Sequence, residues 1–355
     1  MTILDTGRFK IGGENPVYFI ADIAANHDGD IERAKDLIYL CAEAGAHAAK
    51  FQNFRAETIV SDYGFQNLGG RQSHQASWSK SVFEVYQDAS ISMDWTIPLR
   101  DTCEKAGIDY FTAPYDLQML PELSKHVCAW KLGSGDITWH EEIEKMAKDG
   151  KPFFIATGAS TMEEVEAAMS AAQKHTGDIC LMQCNTNYTA SLENFKYIAL
   201  NVLKAYAAAF PNVVLGLSDH TPGHATVLGA VALGARAVEK HFTDDQGRDG
   251  PDHKFSMSPL DWSEMMERTR ELQAALGTEE KRVMENEEET VVLQRRAIRA
   301  NKVLQSGNVI QASDLTVLRP CPPDSLAPYR LGELMGKRLK REIPLGDVVR
   351  LEDVE

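Results

Sequence analysis

Apolar, β-rich runs alternate with helical patterns from residue 17 to residue 242 of this 355-residue chain. The runs cover residues 17–24, 46–52, 107–114, 128–135, 151–158, 178–185, 213–219 and 235–242. Segments with helical periodicity, such as 161–175 and 192–210, lie between them. Such alternation indicates parallel strands joined by crossover helices, because a tight turn cannot connect two parallel neighbours. The pattern predicts a (β/α)8 barrel, and a doubly wound open sheet is the alternative.

Two stretches interrupt this rhythm. Residues 54–92 form a long connection after the second run, and we expect its segment 69–78 to form a lid over the substrate. Residues 277–294 are charged and poor in apolar residues, which indicates a partly helical linker. Residues 295–355 contain short strand-like runs between Gly and Pro turns. We therefore predict a barrel catalytic domain at 1–276, a linker at 277–294 and a small β-rich domain at 295–355.

Charge and hydropathy restrict the partners of the chain. The formal net charge is −15, which opposes binding to nucleic acid or to an anionic membrane surface. No window contains eighteen consecutive apolar residues, and the start MTILDTGRFKIGG lacks the pattern of a signal peptide. These features predict a cytoplasmic location. A small anionic substrate remains compatible, because local lysines outweigh distant surface charge.

Two histidines follow neighbouring strand patterns. In the segment GLSDHTPGHATVLGAVALGARAVEKHF (216–242), His220 follows one apolar run, His241 lies near the end of the next, and a helical pattern separates them. A βαβ unit of this kind places both histidines side by side at the carboxyl ends of its strands, where α/β folds place their chemistry. Two neutral imidazoles suit an open divalent-cation site that acts as a Lewis acid. The alternative is that each is a hydrogen-bonded core histidine.

Two lysines lie near the ends of other runs, Lys50 in AAKFQ and Lys131 in AWKLGSG. An unpaired buried ammonium is costly, so two such lysines indicate an anionic guest. The Gly-Ser-Gly at 133–135 lets the backbone approach a phosphate or carboxylate closely. Two alternatives are lysines whose stems merely pack at the surface and a Schiff-base lysine of a metal-free aldolase.

Aspartates are expected at the same rim of the barrel. They are Asp22, Asp116, Asp136, Asp219 and Asp252. A carboxylate in such a place can transfer a proton or orient a histidine. The alternative is that each single aspartate caps a helix.

The order and spacing of ten short motifs resemble the sialic acid synthase family. The motifs are ADIAANHDGD (21–30), GAHAAKFQ (45–52), FTAPYD (111–116), KLGSGD (131–136), IATGAS (155–160), QCNTNY (183–188), GLSDHT (216–221), EKHFTD (239–244), GPDHKFSM (250–257) and RRAIRA (295–300). The resemblance implies a metal-dependent transferase that condenses phosphoenolpyruvate with an N-acetylmannosamine-type hexose to give a nine-carbon 2-keto-3-deoxy acid and phosphate. It also implies a (β/α)8 barrel followed by an antifreeze-like (SAF) domain.

The resemblance implies a role for each matching residue. His220 and His241 would hold the cation, Mn²⁺ first, with Mg²⁺ or Co²⁺ as alternatives. Lys50 and Lys131 would hold phosphoenolpyruvate, with Ser134, Tyr188 and Ser218 in the same pocket. Asp22 or Asp136 would transfer a proton, while Gln52 and Asp252 would contact the sugar hydroxyls. The family pairs as homodimers in which the small domain of one chain covers the partner's barrel, and Arg319 would reach the acyl group of the sugar there.

Two other functions compete with this one. A related barrel synthase would use a shorter aldose phosphate, for which Arg71 and Lys80 would supply a second basic cluster. A non-catalytic carbohydrate-binding protein would use the small domain for recognition and would release no phosphate.

Overall fold

The computed structural model describes residues 2–68, 75, 78 and 80–355. Eight of its strands close into a parallel barrel. A short antiparallel hairpin, β1 (Leu4–Asp5) and β2 (Lys10–Ile11), precedes the barrel. The barrel strands are β3 (Tyr18–Asp22), β4 (Ala48–Asn53), β5 (Asp109–Pro114), β6 (Trp130–Leu132), β7 (Phe153–Ala156), β8 (Ile179–Cys184), β9 (Val214–Asp219) and β10 (Ala237–His241). Neighbours in sequence pair in space, and β10 pairs with β3 to close the ring. The predicted barrel is confirmed, and the open-sheet alternative is wrong.

Helices follow most barrel strands. They are α1 (Ile31–Glu43), α2 (Ala56–Ile59), α3 (Asp62–Gln66), α4 (Val82–Ala89), α5 (Thr96–Ala106), α6 (Leu120–Leu123), α7 (His140–Lys148), α8 (Met162–Gln173), α9 (Val202–Ala209), α10 (Ala225–Ala232), α11 (Pro259–Leu276) and α12 (Glu288–Gln294). The long connection at 54–92 contains α2, α3 and α4. Most of the predicted lid at 69–78 lies outside the described residues, as does Arg71.

Local signals explain several helix ends. Thr161 begins α8 with a capping box, in which its hydroxyl accepts from the backbone N–H of Glu164 and the Glu164 carboxylate accepts from the N–H of Thr161. The expected continuous helix at 192–210 is wrong. A 3-10 turn at Leu192–Tyr197 and α9 replace it, because Ala199 between them has a φ of 52°, a left-handed conformation that no α-helix continues through.

The barrel strands are buried on both faces, which accounts for their nearly continuous apolar sequence. One face packs against the helices, and the other fills the barrel. The rings of Tyr18, Phe111 and Phe154 stack inside the barrel, with the centroids of Phe154 lying 6.1 Å from Tyr18 and 5.5 Å from Phe111. These rings form an aromatic floor beneath the polar carboxyl ends of the strands.

The chain divides into two compact units, the first ending at Gly277 and the second comprising Thr278–Glu355. The second unit contains α12 and an antiparallel pair, β11 (Ala297–Ala300) and β12 (Leu315–Leu318). It has its own apolar core, which includes Ile298, Leu304 and Ile343. Within the described part of the chain, no helix is long and apolar enough to span a bilayer.

Candidate active site

Two lysines meet two carboxylates inside the barrel, above the aromatic floor. Lys50 Nζ lies 2.7 Å from a carboxylate oxygen of Asp22 and 3.7 Å from Oε1 of Glu239. Lys131 Nζ lies 3.2 Å from the same oxygen of Glu239. All four side chains are buried. The strand register explains the first contact, because Asp22 of β3 is the direct partner of Lys50 of β4.

Glu239 joins the two lysines and was not among the residues expected from the sequence. The pKa of its carboxyl is lowered to about 2, because Lys131 and Lys50 outweigh the effect of burial, so the group is ionised. The Ser218 hydroxyl donates to Oε1 at 3.2 Å, while Oε2 is buried without a hydrogen-bond partner. The signal was present in the motif EKH, since alternation along β10 turns Glu239 to the same face as His241.

His220 and His241 lie side by side at the carboxyl ends of β9 and β10, with ring centroids 5.3 Å apart. Tyr188 packs edge-on against His220 at 4.5 Å, and Phe255 packs against His241 at 4.8 Å. Burial is the first cause that lowers the pKa of both imidazoles, to about 4 for His220 and about 3 for His241. Both rings are therefore neutral at physiological pH, and a lone pair on each is available.

These two histidines fit a divalent cation. The Nδ1 of His220 lies 2.9 Å from the Asn185 carbonyl, which fixes the ring by one nitrogen and leaves Nε2 for another partner. The Nδ1 of His241 is buried without a hydrogen-bond partner. A buried polar nitrogen without a partner calls for a ligand. Two neighbouring neutral imidazoles provide the nitrogen ligands that a borderline divalent ion prefers. The described residues hold no group of three or more His, Cys, Asp or Glu that could ligate a metal, so further ligands would be water or substrate.

A small cradle lies beside Lys131. The Ser134 hydroxyl accepts from the backbone N–H of Gly158 at 2.9 Å, which ties the turn after β6 to the end of β7. No side chain fits at Gly158, because an added Cβ would lie 2.5 Å from Cγ2 of Thr186 and 2.9 Å from Oγ of Ser134. Hydroxyl and backbone groups next to an ammonium group form a binding site for an anion.

Carboxylates and an amide border the pocket toward its opening. Asp252 Oδ2 accepts from the backbone N–H of Ala25 at 3.1 Å and lies 4.0 Å from Nδ1 of His241. Gln52 donates to Asp22 at 3.4 Å. Burial raises the pKa of Asp136 to about 6 and that of Asp252 to about 7. Burial, and then the charges of Asp252 and Asp136, raise the pKa of the half-buried Tyr86, a neighbour of both carboxylates that the sequence did not single out.

Two of the aspartates expected at the rim of the barrel are held by other side chains, and Arg319 belongs to the second unit. Asp116 is paired with Arg55, with an N–O distance of 2.7 Å. Asp219 is buried against Lys240, on the other face of the strand from the histidines. Arg319 follows β12 in the second unit and is exposed.

Comparison with known proteins fits this geometry. Residues 37–281 match the sequence model of the NeuB family, and residues 295–355 match that of the SAF domain. The chain belongs to the NeuB family. The barrel followed by a SAF domain, which the resemblance implied, is thereby confirmed.

Relatives of this NeuB-family chain are nonulosonate synthases. It is 31% identical to an N,N'-diacetyllegionaminic acid synthase of Legionella pneumophila, over 98% of each chain. It is 29% identical to the N-acetylneuraminate-9-phosphate synthase of Homo sapiens, over 98% of this chain and 95% of the relative. The crystal structure of an N-acetylneuraminic acid synthetase from Leptospira borgpetersenii, in complex with citrate, matches with a TM-score of 0.71 at 27% identity. That match covers 82% of this chain and 95% of the other.

Proposed function

We propose that this chain condenses phosphoenolpyruvate with an unphosphorylated N-acetylmannosamine-type hexose in the cytoplasm. The products are a nine-carbon 2-keto-3-deoxy acid and phosphate. One observation supports this most strongly. Two buried ammonium groups, Lys50 and Lys131, converge on Glu239 beside a pair of neutral imidazoles at the same barrel mouth. An enol ester with a carboxylate and a phosphate matches this arrangement.

Charge balance supports a cation in the proposed reaction. The two ammonium groups and the carboxylates of Asp22 and Glu239 sum to zero while both histidines are neutral. A polyanionic substrate in so buried a place requires further positive charge. A divalent ion, Mn²⁺ first, held by His220 and His241 would supply that charge and polarise the sugar carbonyl.

The residues of the chain would act as follows. Lys50 and Lys131 bind the carboxylate and phosphate, and the Ser134 turn orients the methylene carbon toward the sugar aldehyde. A carbon–carbon bond forms between them, water adds to the resulting cationic carbon, and carbon–oxygen cleavage then releases phosphate. The added water gives up two protons as its oxygen becomes the keto oxygen. The aldehyde oxygen takes up one of them, and the departing phosphate takes up the other. The pKa of Asp136, about 6, suits a group that exchanges a proton near neutral pH, and Asp22 is the other candidate.

The test is phosphate release from phosphoenolpyruvate with Mn²⁺ present. N-acetylmannosamine, its 6-phosphate and deoxy-diamino relatives would be offered side by side. We expect release with at least one unphosphorylated N-acyl sugar and loss of release in a folded His241→Ala variant. Absence of release with every sugar would refute the synthase, and undiminished release by His241→Ala would refute the ligand role.

The rival that uses an aldose phosphate receives little support from the described residues. Lys80, one of its two expected cations, already pairs with Asp88 at 2.5 Å. A shorter aldose phosphate offered beside this sugar panel separates the rival, since the rival requires release with that sugar phosphate alone. The carbohydrate-binding rival requires sugar binding without metal and no phosphate release.

We also propose a homodimer in which Arg319 contacts the acyl group of the sugar bound to the other chain. The support is the family membership and the exposure of Arg319. Arg319→Ala should raise KM for the sugar and leave KM for phosphoenolpyruvate unchanged. A monomer by light scattering, or an unchanged KM for the sugar, would contradict this proposal.

A further inference from the structure

A buried ion pair lies behind the two histidines, and no step of the proposed reaction uses it. Lys240 Nζ donates to Oδ2 of Asp219 and to the backbone carbonyl of Thr221 at 2.6 Å. Lys240 is 1% exposed and Asp219 is 2% exposed. Taking two charges out of water is costly, so a pair of this kind requires close geometry and further hydrogen bonds.

The register of the barrel places this pair next to the histidines. Lys240 of β10 and Asp219 of β9 are direct partners across the two strands. His220 follows Asp219 by one residue, and His241 follows Lys240 by one residue. Since successive side chains alternate between faces, the histidines face the barrel mouth while the ion pair faces the surrounding helices. The pair therefore contacts neither imidazole. It acts on the mouth through the backbone of the two strands and through the electrostatic effects of Asp219 on His220 and of Lys240 on His241.

Two threonines complete the cluster around Asp219. The hydroxyls of Thr221 and Thr226 each lie 2.8 Å from Oδ2 of Asp219, and both residues are buried. Thr226 lies in the first turn of α10, and Thr221 lies in the connection that follows His220. One carboxylate thus joins the end of β9, the start of α10 and, through Lys240, the end of β10. The backbone on both sides of His220 is held by this group.

We propose that Asp219 and Lys240 are positioning residues that hold His220 and His241 at the separation required for one divalent cation. This inference rests on the cation role in the proposed function. Neither residue touches the cation or a substrate. Outer partners of metal-binding histidines commonly set the orientation of those ligands. Here the outer partner sets the relative position of two strands instead of contacting an imidazole.

The test is Mn²⁺ affinity, measured by electron paramagnetic resonance on the full-length Asp219→Asn/Lys240→Met double variant. This variant removes both charges together, so it leaves no unpaired ion. We expect Mn²⁺ binding to weaken by about 10- to 100-fold. Phosphoenolpyruvate affinity without metal should be unchanged, because Lys50 and Lys131 are intact. If the pair only stabilised the fold, its loss would weaken the binding of Mn²⁺ and of phosphoenolpyruvate alike.

A matched control breaks a buried contact at the opposite end of the barrel. Asp109, at the start of β5, accepts from the Tyr18 hydroxyl at 2.7 Å and is buried. Asp109→Asn should lower stability and leave Mn²⁺ affinity at the wild-type value. An equal loss of Mn²⁺ affinity in this control would show a general effect of instability and would overturn the inference.

Each remaining outcome is decisive. Wild-type Mn²⁺ affinity in the folded double variant would refute the positioning role. If the wild-type protein binds no Mn²⁺, Mg²⁺ or Co²⁺, the cation role itself fails and the inference fails with it. If the double variant does not fold, Thr226→Val removes one hydroxyl donor to Asp219 and should weaken Mn²⁺ binding by about 2- to 10-fold. Unchanged affinity in Thr226→Val would then overturn the inference.

Discussion

Replacing Glu239 with glutamine removes the negative charge between the two lysines and keeps the shape of the side chain. The Glu239 carboxylate lies 3.2 Å from the Lys131 ammonium and 3.7 Å from the Lys50 ammonium. Lys50 retains a second carboxylate partner in Asp22, 2.7 Å away. Within the described chain, Lys131 retains only the hydrogen bond that it donates to the Leu132 carbonyl, at 3.2 Å. We therefore expect Glu239→Gln to leave a buried and poorly compensated ammonium at Lys131.

The expected loss of stability follows from these distances. At an effective dielectric constant of about 20, each contact is worth about 4–5 kcal/mol of Coulomb attraction before desolvation is subtracted. Removing one partner of a buried pair costs about 3–5 kcal/mol in measured cases. Each kcal/mol corresponds to about 2–4 °C for a domain of this size. The melting temperature of Glu239→Gln should therefore lie about 6–20 °C below that of the wild type.

The assay is differential scanning calorimetry at pH 7, with Glu142→Gln as the matched control. Glu142 is 2% exposed, and within the described residues it forms no ion pair. Burial is the first cause that raises its pKa to about 9, so its carboxyl is already uncharged at pH 7. The control should lose no stability. Phosphoenolpyruvate should raise the melting temperature more in Glu239→Gln than in wild type, because the anion restores a negative charge beside Lys131.

Two results would refute this reasoning. A Glu239→Gln variant as stable as the wild type would show that the carboxylate contributes nothing to holding the lysines. An equal loss in both glutamine variants would show that any change of a buried glutamate is harmful, whatever its charge partners.

Three further predictions concern other parts of the barrel. Gly158→Ala should displace Ser134, cost about 1–3 kcal/mol of stability and reduce phosphate release, whereas Gly177→Ala, with no atom within 4 Å of the added Cβ, should change neither. The folded-state pKa of Glu142, about 9, lies above its ordinary 4.5, so the folded chain retains a proton that the unfolded chain loses. Between pH 5 and pH 8, this group should therefore lower the free energy of unfolding of the wild type by up to about 1.4 kcal/mol for each pH unit of increase. Urea titrations of Glu142→Gln should show that this decrease is removed. Lys131→Met should weaken phosphoenolpyruvate binding by about 2–5 kcal/mol in calorimetry and leave sugar binding unchanged.

The barrel was predictable because its strands are buried on two faces. Runs such as 178–185 and 213–219 are mostly apolar. Helical patterns separate them, so the order of elements follows from periodicity alone. The proximity of His220 and His241 also follows from the sequence, since one βαβ unit contains both. Their rings lie 5.3 Å apart in the structure. The roles of these residues remain proposals.

The rest of the pocket depends on contacts between residues distant in sequence. Glu239 was overlooked because a single glutamate in an apolar run gives no sign that Lys50 and Lys131 converge on it from β4 and β6. The Ser134–Gly158 hydrogen bond joins two strand ends and has no local pattern. The break at Ala199 was missed for a different reason, because an alanine in a left-handed conformation looks like a helix former in sequence.

The aromatic floor closes one end of the proposed active-site cavity, so the cavity opens at the other end alone. Tyr18, Phe111 and Phe154 fill the barrel below the lysines, so no molecule crosses the barrel from end to end. In the proposed reaction, both reactants would enter by the route through which both products leave. A phosphate ion held by Lys131 would then leave only after the bulkier keto acid that blocks this route. We therefore expect ordered product release, with the sugar acid leaving first and inorganic phosphate competing with phosphoenolpyruvate for the site at Lys131.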